Sequence, residues 1–224
     1  MIRENIKRVR DEICETAIKC GRNPDDITLC AVTKTVDAAA AQEVLDSGVT
    51  VLGENRVQAL LEKYEVLADK PEWHLIGHLQ TNKVKYIADK ISLIHSVESF
   101  RLAEEIDKKA KQADKIQDIL IEVNVSGEAS KFGIRPEETE KLLEQISGFG
   151  NICVRGLMTI APLPEKEGEN RKYFSKLREL FVDIQSKKYD NSNMDVLSMG
   201  MSRDFKDAIK EGATIVRVGT ALFN

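Results

Sequence analysis

Lys34 directly follows the apolar run Leu29-Cys-Ala-Val-Thr33. An amine at the end of a buried strand is either a desolvated charge or an amine kept neutral, and a neutral amine condenses with an aldehyde. The plain alternative is a lysine that carries its ammonium out to the rim. The last thirty residues supply a second set, Ser198-Met-Gly200-Met-Ser202-Arg-Asp204 and Arg217-Val-Gly219-Thr220. Ser202 is placed to cap a helix with Asp204 in its first turn, and the unpaired N–H groups of a helix start accept an anion. Gly200 lets a ligand approach the main chain, and Gly219 and Thr220 add a second small residue and a hydroxyl. For Ser202 alone, a cap with no ligand is the plain alternative.

Arg217 lies between Val216 and Val218, where a permanent cation needs a partner. An ion pair answers that need. If the ligand is a pyridine ring, the arginine would instead face its nitrogen, keep it unprotonated and weaken the ring as an electron sink. Asn55, within Glu54-Asn55-Arg56, positions a ring or joins an ion-pair network. His78 falls near the end of a third strand, but a lone barrel histidine is more often hydrogen-bonded structure than a ligand. His74, His78 and His95 are separated and have no paired carboxylates or cysteines, which argues against a metal site. Ser126 to Gly133 has the length and glycines of a flap, with a solvated loop as the alternative.

These residues need elements to hold them. Ile2, Ile6, Val9, Ile13 and Ala17 give an amphipathic helix over residues 2–20. Apolar runs then predict strands at 27–33, 49–53, 73–78, 91–97, 119–125, 154–160 and in the two closing segments. Helical periods lie between them, at about 38–47, 57–67, 81–89, 102–113, 136–147, 171–185 and 202–211. Asp37 caps the first of these, and Pro136 lies near the start of the helix between strands five and six, with Gly148 after its end. Eight strands alternating with helices predict one parallel (β/α)8 barrel over residues 1–224, with an open doubly wound sheet as the alternative. In a barrel the functional face lies at the C-terminal strand ends, where Lys34, Asn55, His78, Met158, Ser198 to Ser202 and Arg217 to Thr220 fall. No helix is expected after strand eight, and the N-terminal helix is expected to cover that gap.

At 224 residues one domain is the default. With 42% apolar and 31% charged residues and a net charge of −4, the chain has no footprint for nucleic acid or anionic membrane. Any anion must be bound locally. Cys14, Cys20, Cys30 and Cys153 lack CxxC spacing, Cys30 and Cys153 fall in apolar strand-like runs, and the four read as buried thiols rather than disulfides or ligands. There is no signal-like apolar start and no run of about 18 apolar residues, so a cytoplasmic protein is expected.

Six ordered motifs carry a resemblance: Val32-Thr-Lys34-Thr, Gly53-Glu-Asn55-Arg, Trp73-His-Leu-Ile-Gly-His78-Leu-Gln with Asn82-Lys83, Gly156-Leu-Met158-Thr, Ser198-Met-Gly-Met-Ser202 with Asp204, and Val216-Arg-Val-Gly-Thr220. The chain resembles the pyridoxal phosphate homeostasis protein family, whose members look like the barrel domain of alanine racemase standing alone. The resemblance implies a protein that holds pyridoxal 5′-phosphate reversibly as a lysine aldimine at Lys34 and contributes to homeostasis of that cofactor. It implies a phosphate site at Ser198, Gly200, Ser202, Gly219 and Thr220, Arg217 facing the pyridine nitrogen, and Asn55, His78 and Met158 lining the ring. It further implies a monomer that serves pyridoxal-dependent apo-enzymes. The flap segment Ala129-Ser130-Lys131-Phe132 departs from the family's usual glycine and serine-lysine pair. A racemase of this fold takes an opposing base from a second domain, so a carrier is expected ahead of an amino-acid racemase. A cofactor-free Schiff-base aldolase or phosphosugar isomerase is the third possibility.

Overall fold

In the computed structural model, which describes residues 1–224, eight strands close into one barrel in chain order. They are β1 Thr28–Val32, β2 Val51–Glu54, β3 Glu72–Leu75, β4 Leu93–Val97, β5 Gln117–Glu122, β6 Ile152–Met158, β7 Ser192–Ser198 and β8 Ile215–Val218. β1 pairs in parallel with both β2 and β8, which closes the ring and leaves no sheet edge. The predicted barrel is therefore present, and the open sheet is not.

The helices are α1 Ile2–Lys19, α2 Ala38–Asp46, α3 Val57–Leu67, α4 Phe100–Gln112, α5 Thr139–Ile146, α6 Arg171–Ser186, α7 Phe205–Lys210 and α8 Thr220–Phe223. Their starts follow local chemistry. The Asp37 carboxylate accepts from the Ala40 N–H at 2.9 Å to begin α2, and the Ser99 hydroxyl accepts from the Leu102 N–H at 3.3 Å to begin α4. α1 buries Ile6, Val9, Ile13 and Ala17 and packs against α2, α7 and α8. Two bonds fasten it there: Asn5 Nδ2 donates to the Leu222 carbonyl at 3.1 Å and Arg8 Nη2 to the Ala221 carbonyl at 3.0 Å. The N-terminal helix thus covers the gap beside β8, as its apolar face requires.

Two elements depart from expectation. Residues 81–86 form a 3₁₀ helix, Thr81–Tyr86, in place of an α-helix. Val84 and Ile87, three apart, are its buried pair, and i to i+3 bonds such as Ile87 N–H to the Val84 carbonyl at 3.1 Å keep them on one side. A single helical turn, α8, follows β8 where none was expected.

Two apolar layers result. Leu52, Trp73, Ile94, Ile119, Leu157 and Val216 face outward from the barrel into the helices. Cys30, Val32, Val51, Leu93, Leu120 and Met158 fill its interior. All four cysteines are free, but only Cys30 is buried: Cys20 is exposed at the end of α1, and Cys14 and Cys153 are half-buried. Burial pushes the Cys30 thiol up to about 12, so it stays protonated as core. No helix is long and apolar enough to cross a membrane.

Candidate functional site

The turns after β1, β2, β7 and β8 enclose an open cleft of about 210 Å³. Lys34, Asn55, Ser202, Arg217, Gly219 and Thr220 line it, with Ile160, Leu163 and Pro164 from the loop after β6. Of the two readings of Lys34, a buried amine or one carried out to the rim, the structure shows the second. β1 ends at Val32, the chain turns with the Val36 N–H on the Thr33 carbonyl at 3.2 Å, and this lifts Lys34 clear of the barrel. Its side chain is exposed, without an ion pair or hydrogen bond. Asn55 Oδ1 is buried in the same wall and has no partner, a donor's opportunity in the cleft.

The expected cap of α7 by Ser202 is also corrected. α7 begins after Asp204, whose carboxylate accepts from the Met201 N–H at 2.6 Å and from Asn170 Nδ2 at 2.7 Å. Ser202 serves the other helix: its Oγ accepts from the Gly219 N–H at 3.2 Å and the Ala221 N–H at 3.3 Å, at the start of α8. Its own O–H remains free to donate. The backbone N–H groups of Ser202, Arg203 and Thr220 donate to no protein acceptor. Gly219 lies tight against β1, where a Cβ would come 3.2 Å from both the Cβ and the carbonyl oxygen of Val32. Gly200 is a packing glycine: φ is 90°, and a Cβ would come 2.5 Å from the Ala208 Cβ of α7. Lys34, Arg203 and Arg217 face the cleft against one carboxylate, Asp204. Burial, the larger cause, raises the Asp204 pKa, while bonds from Met201 and Asn170 oppose it. The cleft is therefore cationic on a chain of net charge −4.

Below its floor runs a column of buried polar groups. Arg217 is 3% exposed, and the ion pair considered for it does not form. Its Nη1 donates to Ser198 Oγ at 2.6 Å and its Nη2 to the Thr159 carbonyl at 2.8 Å. Burial lowers its pKa, while the nearby carboxyl groups of Glu122 and Asp204 act in the opposite sense. Ser198 Oγ lies 3.0 Å from His95 Nδ1, and His95 Nε2 lies 3.0 Å from His74 Nδ1. Burial holds His74 down at about 4 and His95 well below the ordinary histidine value, so both are neutral. The donors then have one consistent sense: Arg217 to Ser198, Ser198 to His95, His95 to His74. Beside this column, burial and then the Glu98 charge raise Glu122 to about 7, with Arg217 acting against them.

The other half of the mouth is fastened shut. Glu98 Oε1 lies 3.1 Å from His78 Nδ1, and Glu98 Oε2 accepts from the Gly133 N–H at 2.7 Å. The Phe132 ring stacks on His78 at 4.3 Å and 18°. The loop after β5 is thus tied to the turns after β3 and β4.

Of the predicted site residues, the cleft gathers Lys34, Asn55, Ser202, Arg217, Gly219 and Thr220. It does not gather four. His78 stands in the latch, three residues beyond β3; Met158 is fully buried in the barrel interior; Ser198 is in the column; and Gly200 packs under α7. Sequence reading missed Glu122 and Arg203; it named His74 and His95, the latter as hydrogen-bonded structure, which the column bears out. Glu122 alternates with the interior residue Leu120, and that inward period of two was the signal available.

The model of the family described as alanine racemase, N-terminal domain matches residues 2–224. Over 221 residues the chain is 48% identical to the pyridoxal phosphate homeostasis protein of Aquifex aeolicus, covering 98% of this chain and 96% of that one. It is 41% identical over 223 residues to the protein of that name from Pseudomonas aeruginosa, covering 99% and 94%. Among solved structures, PipY of Synechococcus elongatus with PLP bound is similar at a TM-score of 0.87 and 34% identity, over 100% of both chains. An alanine racemase of Clostridium difficile is similar in fold, with a TM-score of 0.76 at 17% identity, over 99% of this chain and 55% of that one.

Proposed function

The chain belongs to the family of pyridoxal phosphate homeostasis proteins, built on the alanine racemase N-terminal domain, and from that premise we propose that it binds pyridoxal 5′-phosphate reversibly through Lys34 and helps to maintain the supply of that cofactor. One observation carries the reading: an exposed, unpaired lysine and three unpartnered N–H groups face the same cationic cleft. When bound, pyridoxal 5′-phosphate supplies an aldehyde that condenses reversibly with an amine.

The chain's own groups divide the work. The N–H groups of Ser202, Arg203 and Thr220, with the free Ser202 O–H, the Thr220 hydroxyl and the close approach allowed by Gly219, hold the phosphate. Arg217, fixed from below by Ser198 and the Thr159 carbonyl, turns its remaining donors to the cleft and faces the ring nitrogen. A permanent cation there withholds a proton from that nitrogen, which favours storage over a dedicated amino-acid reaction. Asn55 Oδ1 accepts from the ring's substituents. Met158 closes the interior beneath, Gly200 lets α7 and its preceding turn approach, and His78 holds the loop after β5.

We also place the protein in the cytoplasm, as a monomer that passes cofactor to enzymes lacking it; its four free thiols fit a reducing compartment. Titration of the full chain with pyridoxal 5′-phosphate, followed by visible absorbance, tests the binding reading. Thr220→Val combined with Arg203→Gln is expected to weaken binding by about tenfold or more. An unchanged affinity would contradict the phosphate assignment. Sedimentation of the loaded chain at the mass of a dimer would reject the monomer.

A further inference from the structure

A second cationic depression lies on the flank where α6, the turn after α7 and the end of α1 meet. It has a volume of about 430 Å³ and shares no lining residue with the cleft. Arg22, Arg178 and Lys210 line it against one carboxylate, Asp195. That carboxylate is already committed, since its two oxygens accept from Arg155 Nε at 3.0 Å and from Arg155 Nη2. Lys210 is answered by Glu167 at 3.1 Å and Asp207 at 3.4 Å. Two guanidiniums remain, and neither is within ion-pair distance of a carboxylate.

Arg22 is not placed as a loose surface side chain. Arg22 is half-buried, and its Nη1 donates to the Ile209 carbonyl at 2.8 Å, which orients the group and leaves its other donors free. Arg178 lies across Gly212, where a Cβ would come 3.3 Å from its Cδ and Nη1. Burial and then the charge of Arg178 lower the Arg22 pKa, with Asp26 acting in the opposite sense. Two like charges held together in this way are relieved by an anion. Thr214, also in the lining, accepts from the Leu197 N–H at 2.8 Å through its hydroxyl, whose proton is thereby free to donate. A guanidinium presents paired donors that match the oxygens of a phosphate.

We infer that this depression is a second anion site, one that takes a phosphate group, free or carried on a small phosphomonoester, between Arg22 and Arg178 with the Thr214 hydroxyl as a further donor. The test is a titration of the ¹⁵N-labelled full chain with inorganic phosphate, read at the Gly212 and Thr214 amides, with chloride at matched ionic strength as control. Saturable shifts with phosphate alone are expected. Arg22→Gln with Arg178→Gln weakens them by roughly tenfold or more, and Arg178→Gln alone, at an exposed side chain, gives a smaller loss without threatening the fold. Thr220→Val with Arg203→Gln, the pair that weakens phosphate binding in the cofactor cleft, leaves these shifts intact, which separates the two sites. Glycerol phosphate binding more tightly than inorganic phosphate assigns the site to phosphomonoesters, and the reverse order assigns it to free phosphate. Equal shifts with chloride, or phosphate shifts that persist in the folded double variant, would overturn the site.

Discussion

The two halves of the barrel mouth use similar residues to opposite ends. Toward β7, β8, β1 and β2, polar groups are left unanswered: the Lys34 amine, Asn55 Oδ1 and three backbone N–H groups. Toward β3, β4 and β5, polar groups answer one another, with Glu98 bonded to both His78 and Gly133. Unanswered polarity, rather than polarity alone, marks the ligand half. The same contrast separates two lysines. Lys34 is exposed and unpaired, whereas Lys63 is buried with its Nζ 2.6 Å from Glu54 Oε1, which also accepts from Thr33 Oγ1 at 2.6 Å. One lysine is left unpaired in the cleft; the other locks the ends of β1 and β2 beneath it.

The contrast can be broken at its buried side first. Lys63→Met strands the Glu54 carboxylate, whose Oε2 already lacks a partner, and is expected to cost about 3–5 kcal/mol by urea denaturation. A loss below about 1 kcal/mol would show that the pair does not lock the strand ends.

The next effect is on pH dependence. His74 and His95, both held low by burial, refuse protons that the unfolded chain accepts. Their contribution is present above about pH 6.5 and is lost as pH falls, for His74 through about 4. Glu122, raised to about 7, acts in reverse: its contribution is full below about pH 4.5 and is lost as pH rises through 7. Two histidine protons against one carboxylate proton leave a net of about one, so stability should fall by roughly 1.4 kcal/mol per pH unit between about pH 6.5 and 5. Glu122→Gln should roughly double that slope, and a slope that stays flat in both proteins would refute the neutral column.

The smallest effect on stability belongs to the latch. Glu98→Ala should cost about 1 kcal/mol and speed amide exchange at Gly133 and its loop. An exchange rate equal to that of the unaltered chain would mean that Glu98 does not hold it.

Strand count and order were legible because a parallel barrel buries both faces of each strand, and its strands therefore read as continuous apolar runs. Caps such as Asp37 were legible because their chemistry is local. Depth along the barrel axis was not. Ser198 and Arg217 sit at neighbouring strand ends in sequence terms, yet one is spent inside the column and the other reaches the cleft. Ser202 and Asp204 are both cap residues in type, and contacts from residues distant in sequence, Asn170 on Asp204 and the Gly219 and Ala221 N–H groups on Ser202, separate their roles. The 3₁₀ helix at Thr81–Tyr86 was misread because a spacing of three fits both helical forms.

The most direct measurement is borohydride reduction of the cofactor-loaded chain followed by mass mapping of its peptides, beside the Lys34→Ala chain. That variant should keep its stability within about 0.5 kcal/mol, as expected for an exposed side chain. The account predicts one reduced pyridoxyl adduct, on the peptide carrying Lys34, and none in the variant. An adduct of equal yield on the variant, or on another lysine of the unaltered chain, would contradict it.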